Sequence, residues 1–172
     1  MRGLSGRAEL EILEVLGVMS PGSFVPKNSE FEAVVRESFA RQSFMATLGA
    51  SIARLMPGEV DLRLPYSTAL CQQNGYMHAG AVASVADSAN GYAAYTLAPA
   101  ETDVLAVEFK INLLAPARGS HFVARGRVVR PGRTLTVCLA EVVAQGAQEV
   151  LIATMLSTII IRPRTDVAGG AA

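Results

Sequence analysis

The spacing of hydrophobic residues changes twice along the chain. Across residues 29–45 apolar side chains recur every three or four positions, which predicts an amphipathic helix. Ser29 and Glu32 match the S-x-x-E capping box at the start of this segment. Gly49 stands just past it, where a helix is expected to end because glycine accepts the left-handed conformation of a C-terminal cap.

Two short extended runs then lead into a second helix. In the run at 60–65 apolar and charged residues alternate, as in a half-buried strand, and the run at 50–56 precedes it. Residues 66–78 show no apolar period and are predicted to form a loop. Residues 79–97 are almost uniformly small or apolar, rich in alanine and free of proline, which predicts a helix buried nearly all round.

Beyond this helix the hydrophobic period falls to two. Four extended runs follow, at residues 104–114, 121–129, 134–145 and 149–162. The breaks between them are short, and Pro131 and Gly132 suit the two central positions of a type II turn. Because such short connections join antiparallel neighbours, the order of elements predicts an α+β fold with one antiparallel sheet packed around one long helix.

Residues 29–163 form the predicted domain. Residues 1–28 are predicted to be an N-terminal extension, in which Leu10, Leu13 and Val18 suit a short amphipathic helix that ends before Pro21. Residues 164–172 are small and glycine-rich, and this composition predicts a disordered tail.

Composition narrows the classes of function. Hydrophobic residues make up 51% of the 172 residues and the formal net charge is zero, which favours a large core and disfavours nucleic acid or an anionic membrane as a partner. No apolar run reaches the ~18 residues of a membrane span. Acidic residues interrupt the N-terminal apolar segment, so a cytoplasmic protein without a signal peptide is expected. Cys71 and Cys138 lack the spacing of a metal site, and neither a metal nor a cofactor is predicted.

Asp87 lies in the middle of the helix that is predicted to be buried. An unpaired carboxylate in an apolar core is costly and is rare without a partner or a task. Ser84, Asp87, Ser88, Gly91 and Tyr95 are spaced by three and four residues and form a narrow polar stripe. This stripe fits a catalytic carboxylate, a carboxylate bound by neighbouring hydroxyls, or one that faces a wet subunit interface.

The start of the same helix offers a second chemical feature. The first-turn amides of a helix have no acceptors within the helix, and the helix dipole adds positive potential there. The small residues Ala79 and Gly80 would let an outside oxygen approach these N–H groups, so this position could bind a developing oxyanion. The alternative is that His78 and Gly80 only shape the turn.

Helix geometry limits what one chain can do with these two features. Ala79 and Asp87 are eight residues apart, or about 12 Å along a helix. An oxyanion donor and a general base must both lie within roughly 3 Å of one reacting group. If both take part, the carboxylate comes from a second subunit, which predicts a homodimer with shared active sites; a homotetramer is equally open.

The segment from Gln72 through His78, Ala79 and Gly80 to Asp87 resembles the H-G-G…L-A-D signature of hotdog-fold acyl-CoA thioesterases. The similarity is closest to the phenylacetate-degradation (PaaI-like) type and covers about residues 30–162. It implies a hotdog fold, in which an antiparallel β-sheet wraps around a central α-helix. It also implies hydrolysis of the thioester of an acyl-coenzyme A to a free acid and CoA, without a cofactor.

The resemblance implies roles for individual residues. Asp87 corresponds to the general base that activates water, or to the nucleophile that forms an anhydride. Gln72 stands where the family has an Asn or Gln that orients water or the thioester. Ala79 and Gly80 correspond to two glycines, of which the first offers its N–H to the carbonyl, and His78 holds the loop.

Other positions are predicted to contact the substrate or depart from the family. Asn74 and Ser88 are expected to bind substrate, and Arg130 and Arg133 would meet coenzyme A phosphates unless they are merely solvated. Ala106 occupies a strand position at which some members carry a Ser or Thr that assists water, so a hydroxyl-assisted step is not expected here.

Two other functions remain open at this stage. A hotdog hydratase or dehydratase would need a histidine and an acid that converge on the substrate, and the chain offers only His78 and His121. A non-catalytic acyl-CoA-binding protein would share the fold, although an intact Asp87 argues against it. Release of free thiol from an acyl-CoA separates both from a thioesterase. The sequence does not specify the acyl group.

Overall fold

The computed structural model describes residues 24–164. Within this range the α-helices and strands are, in chain order, α1 Phe31–Ala40, α2 Ser43–Leu48, β1 Ser51–Met56, β2 Glu59–Pro65, α3 Ala79–Tyr95, β3 Thr102–Leu113, β4 His121–Arg130, β5 Leu135–Gln145 and β6 Val150–Pro163, and a short 3₁₀ helix, Thr68–Leu70, lies in the predicted loop. The predicted helix at 79–97 and the six predicted strands are confirmed to within a few residues. The segments at 1–23 and 165–172, with the predicted N-terminal helix and nearly all of the predicted tail, lie outside the described residues.

The strands form one antiparallel sheet around α3. Their spatial order is β1-β2-β4-β5-β6-β3, so that β1 and β3 are the two edges. Every neighbouring pair is antiparallel. Helix α3 packs against five of the six strands, and its Val82, Val85, Ala86 and Ala89 are fully buried. The predicted α+β hotdog architecture is confirmed.

The small residues of α3 allow the sheet backbone to come close. Gly126 of β4 crosses Ala89, and a Cβ added at Gly126 would lie 2.4 Å from the carbonyl carbon and oxygen of Ala89. Real Cβ atoms do not approach other backbone atoms this closely. Glycine is therefore required on the strand at the point where it crosses the backbone of the helix.

A Gly126→Ala variant is expected to lower the free energy of unfolding by about 2 kcal/mol, since an extra methyl group in a packed core forces the backbone apart. Urea unfolding at a fixed protein concentration measures this loss. Gly146→Ala is the matched control, because its Cβ would have only the Gln148 carbonyl oxygen nearby, at 3.9 Å. Equal midpoints for the two variants would contradict the close crossing.

The first helical segment differs from its prediction. It is split into α1 and α2 at Arg41 and Gln42, and Glu30 rather than Ser29 precedes the first turn. The capping box is wrong: the side chain of Asn28 accepts from the Glu30 N–H at 3.0 Å, and Glu32 instead pairs with Arg36. The predicted stop at Gly49 is confirmed by its left-handed φ of 70°.

The turn between β4 and β5 also differs. A type II turn needs a positive φ at its third residue, and among the described glycines only Gly49, Gly58 and Gly75 have one. The prediction of this turn type at Pro131 and Gly132 is therefore wrong. Glycine is needed at 132 for a different reason, because a Cβ there would lie 2.1 Å from the carbonyl oxygen of Leu135.

Residues near the predicted domain boundary contact the core. The Phe24 ring packs against the hydrophobic core, and a Cβ at Gly58 would lie 2.5 Å from this ring. Gly58 also has a left-handed φ of +76°, so both its backbone conformation and the nearby ring require glycine at this position. Residues 24–28 thus lie against the domain, and the division of the chain at residue 28 stays a prediction.

Edge strand β3 exposes a large apolar surface. Leu105, Val107, Phe109 and Leu113 are each between 46% and 56% exposed. Among the described strands β3 is hydrogen-bonded on one side, to β6, and no described strand pairs with the backbone groups on its other side. A long apolar edge of this kind is a template for pairing with another strand.

Candidate active site

The loop before α3 and the first turn of α3 form one part of the site. His78 is the N-cap, and its Nδ1 accepts a hydrogen bond from the Gly80 N–H at 2.8 Å. The His78 carbonyl accepts from the N–H groups of Ala81 and Val82. Among the described residues no acceptor binds the N–H of Ala79, and Ala79 is exposed. Of the two predicted small residues, Ala79 therefore offers a free donor, whereas the Gly80 N–H is already occupied.

A cavity of about 470 Å³ opens beside this free N–H group. Gln72, Tyr76, Ala79 and Val82 line it on one side, and Leu113 at the end of β3 lines it on the other. We call it the Ala79 cavity. Gln72 uses its Oε1 to accept from the Asn74 N–H at 2.6 Å, so its side-chain amide N–H groups are left as donors.

Asp87 occupies a second cavity, halfway along α3. This Asp87 cavity has a volume of about 340 Å³ and is lined by Ser38, Gln42, Asp87, Ser88, Gly91, Tyr92, Tyr95, Asp103, Val104, Leu105, Ala106 and Arg162. The carboxylate is half-buried, and in the described part of the chain its Oδ1 has no hydrogen-bond partner. Burial raises the pKa of Asp87 above its ordinary value.

The neighbouring hydroxyls do not bind Asp87. Ser84 donates to the Gly80 carbonyl at 2.8 Å, and Ser88 donates to Oε1 of Gln42 at 3.4 Å. One of the three interpretations of the polar stripe, a carboxylate satisfied by its helix neighbours, is thereby removed. The carboxylate instead faces a cavity, which is the arrangement expected of a group that acts on a ligand or water.

Gln42 is a site residue that the sequence analysis missed. It falls inside the segment 29–45 that is predicted as one helix, but it lies at the break between α1 and α2 and lines the Asp87 cavity. Because its Oε1 accepts from Ser88, its amide N–H groups are free to donate into the cavity. A polar residue at a position of the apolar helical face was the available signal.

The predicted substrate-binding residues are not brought together in one chain. Ser88 lines the Asp87 cavity, and Asn74 is exposed in the loop before α3. Arg130 and Arg133 are exposed at the hairpin between β4 and β5 and line neither cavity. Ala106 lines the Asp87 cavity, so at this strand position a methyl group stands where a hydroxyl had been considered.

The two cavities share no lining residue and lie at opposite ends of β3. Val104 and Ala106, at its start, face Asp87, whereas Leu113, at its end, faces Ala79. The helix rise separates Ala79 from Asp87 by about 12 Å, which is too far for both to act on one thioester within a chain.

Comparisons with known proteins define the class. A sequence model of the thioesterase superfamily matches residues 74–151, which include the first turn of α3 and Asp87. The crystal structure of a thioesterase family protein from Silicibacter pomeroyi is 52% identical, covers 78% of this chain and 99% of its own, and superposes with a TM-score of 0.76. A Halobacterium salinarum protein named as a candidate esterase is 30% identical over 64% of this chain and 76% of its own length.

The chain belongs to the thioesterase superfamily and is a thioester hydrolase. The predicted hotdog-fold family is thus confirmed. The Escherichia coli PaaI protein of the phenylacetic acid degradation operon covers 81% of this chain and 98% of its own with a TM-score of 0.72. Its identity is 18%, so this likeness shows the fold alone. Within residues 24–164 no helix is long and apolar enough to cross a membrane.

Proposed function

We propose that the protein hydrolyses the thioester of an acyl-coenzyme A to a free acid and CoA. The observation that carries this proposal is the half-buried Asp87 side chain, which lines a cavity and whose Oδ1 has no hydrogen-bond partner among residues 24–164. The free N–H of Ala79 supplies the complementary group, a donor for a carbonyl oxygen that becomes negative. The experiment is to measure thiol release from acyl-CoAs with short, medium, long and aromatic acyl groups.

The shared active site depends on pairing between the β3 strands of two chains. The exposed apolar residues of β3 and its unpaired backbone edge suit such pairing. In an antiparallel pair related by a two-fold axis at the strand centre, the start of one β3 lies opposite the end of the other. The Asp87 cavity of one subunit then meets the Ala79 cavity of its partner, and symmetry forms this composite site twice.

In this composite site the chemistry needs no further group. Water adds to the thioester carbonyl, and the carbonyl oxygen gains negative charge, which the Ala79 N–H of the partner subunit stabilises. Asp87 accepts the proton of the attacking water, and the amides of Gln42 and Gln72 orient water and thioester. Collapse of the tetrahedral intermediate breaks the C–S bond and releases thiolate, which is a good leaving group. The thiolate then takes the proton from Asp87 and restores the ionised carboxylate.

Asp87 could also attack the carbonyl itself. The product would be an acyl anhydride of Asp87, with release of thiolate, and water would then hydrolyse the anhydride. Both routes need the ionised carboxylate and the oxyanion donor. The two routes therefore use the same groups of the two cavities, and neither route as proposed involves a metal or a cofactor.

Charging the β3 edge is expected to separate the subunits. A Phe109→Asp variant would place a carboxylate in the proposed interface, and the expected result is a smaller particle in sedimentation velocity with loss of thiol release, since each monomer holds only half of each site. Met56→Asp is the matched control on the opposite edge strand, β1, where Met56 is 40% exposed. A Phe109→Asp protein of unchanged size or full activity would contradict β3 pairing.

A homotetramer would need a second interface. Leu135, Leu139 and Leu156 are exposed on strands β5 and β6 and would be buried if two dimers packed through their sheets. The sedimentation experiment distinguishes the two assemblies. If the wild type is a tetramer, the Phe109→Asp variant should dissociate into dimers that are held together by these leucines. If the wild type is a dimer, the variant should dissociate into monomers.

The hydratase or dehydratase reaction finds less support in the geometry. The His78 ring accepts from the Gly80 N–H, and His121 lies at the start of β4 beside the Ser120 hydroxyl, 3.1 Å from its Nδ1. Neither histidine lines the Asp87 cavity or the Ala79 cavity. A protein that only binds acyl-CoA is disfavoured by the family assignment and by the position of the Asp87 carboxylate in the wall of a cavity.

A further inference from the structure

Arg118 is held in a fixed position beside the Ala79 cavity. Its guanidinium carbon lies 4.5 Å from the centre of the Tyr76 ring, and its Nη2 donates to the Tyr76 hydroxyl at 2.8 Å. Tyr76 itself lines the Ala79 cavity, and so do Pro116 and Ala117, the two residues before Arg118. The Ala117 carbonyl accepts from the Met77 N–H at 3.1 Å, which joins the two loops. Arg118 therefore stands at the rim of the cavity.

Within residues 24–164 no ion pair joins Arg118 to a carboxylate. The hydrogen bond and the ring contact of its side chain are both with Tyr76, and the residue is exposed. Three other surface arginines form ion pairs: Arg36 with Glu32, Arg41 with Glu37, and Arg125 with Glu149. A cation that is fixed by stacking and leaves donors unused is pre-organised for an external anion, because little side-chain entropy remains to be lost.

We propose that Arg118 binds a phosphate of the thiol half of the substrate. This inference rests on the proposed acyl-CoA hydrolysis and adds a binding residue to it. Phosphate is the anion that such a thioester carries, and the planar guanidinium donates to it in a bidentate manner. With the thioester carbonyl at the Ala79 N–H, the pantetheine arm would run out of the cavity past Tyr76 to Arg118.

The position of Arg118 differs from that of the arginines expected from the sequence. Arg130 and Arg133 lie at the hairpin after β4, whereas Arg118 precedes the first residue of β4. The length of β4 separates the two places by about 30 Å. Among the arginines of residues 24–164, Arg118 is the one that directly follows residues lining this cavity.

Substrates with and without phosphate test this assignment. Kinetics of Arg118→Ala would be measured on one acyl group carried by CoA, by phosphopantetheine and by pantetheine. We expect KM for acyl-CoA to rise about tenfold, equivalent to ~1.4 kcal/mol, with kcat little changed. KM for acyl-pantetheine should equal that of the wild type, since this substrate has no phosphate. A penalty on acyl-phosphopantetheine assigns the contact to the phosphate nearest the thiol, and its absence assigns it to the nucleotide phosphates.

Two further variants separate phosphate binding from structural effects. Tyr76→Leu removes the stacking ring and should raise KM for acyl-CoA more than for acyl-pantetheine. Arg36→Ala removes an equal charge from the surface of α1 and should leave both values unchanged. An Arg118→Ala effect that is equal on all three substrates, or absent from all, would overturn the assignment. Failure of the wild type to hydrolyse any of the three would instead overturn the proposed function.

Discussion

Replacing Asp87 with asparagine is expected to reduce kcat for acyl-CoA hydrolysis by about 10³-fold or more, in the range of a lost general base. Asparagine keeps the shape of the side chain but can neither accept the water proton nor attack the carbonyl. Stopped assays of thiol release measure the loss. Asp103→Asn is the matched control, because Asp103 lines the same cavity but is 3.4 Å from Nε of Arg164. Near-wild-type turnover of Asp87→Asn would remove this residue from the mechanism.

The same substitution is expected to stabilise the fold at neutral pH. Burial raises the pKa of Asp87, so the folded state binds the proton more tightly than the unfolded state. The contribution of Asp87 to stability is therefore complete below its unfolded pKa and is lost as the pH rises through its folded pKa. Thermal unfolding should show a higher Tm for Asp87→Asn than for the wild type at pH 7, and the difference should shrink in acid.

The raised pKa also sets the acidic limit of activity. Hydrolysis should fall as the pH drops through the folded pKa of Asp87, because protonation removes the base or nucleophile. The acidic limb of the wild-type profile is thus expected above the range of an ordinary aspartate. A profile that is flat through this range would contradict a rate-limiting role for the ionised carboxylate.

Mixing two inactive variants is expected to restore activity if the site is shared. Ala79→Pro removes the proposed oxyanion donor, and it should lower kcat by about 10²-fold or more. The helix should tolerate proline because Ala79 is its first residue, and His78 before it is already extended, with φ −64° and ψ 138°. The loss of activity would then report the missing N–H group rather than a broken helix.

In a heterodimer of Asp87→Asn and Ala79→Pro chains, one site combines the two substituted residues and is inactive. The other site combines the wild-type Asp87 of one chain with the wild-type Ala79 of the other and is active. Random reassembly makes half of the dimers heterodimers, so the mixture should recover about a quarter of the wild-type rate under two-fold pairing. Each variant refolded alone is the control. Recovery no greater than the average of the two parents would mean that each site belongs to a single chain.

Local patterns predicted most elements because the positions that face the core follow the period of the element. The alanine-rich segment became α3, and the alternating runs became strands, since burial of one face decides both. The errors fell where a contact between distant residues competes with a local signal. Gly132 is glycine because of the Leu135 carbonyl rather than a turn type, and Glu32 pairs with Arg36 rather than capping α1.

Some residues of the candidate site could likewise be predicted from the sequence, whereas others could be recognised only in the structure. Asp87 could be predicted from the sequence because a carboxylate is unusual in an apolar helix. The segment from Gln72 to Gly80 could be predicted because it is polar, lacks an apolar period and leads directly into that helix. Arg118 gave no signal in the sequence, and Gln42 gave only a polar position on an apolar helical face, since the significance of both comes from cavities that several elements build. The occupation of the Gly80 N–H by His78 also needed coordinates, because it depends on the orientation of a ring.

The sequence by itself determined the helix, the strands and the chemical groups, because periodicity and residue chemistry are properties of neighbouring positions. It also set the distance of about 12 Å between Ala79 and Asp87, since the rise of a helix is constant. Only the tertiary structure decided that the two groups face separate cavities at opposite ends of an exposed strand. That outcome depends on which strand is left at the edge of the sheet, and long-range pairing of the backbone, rather than any local pattern, decides it.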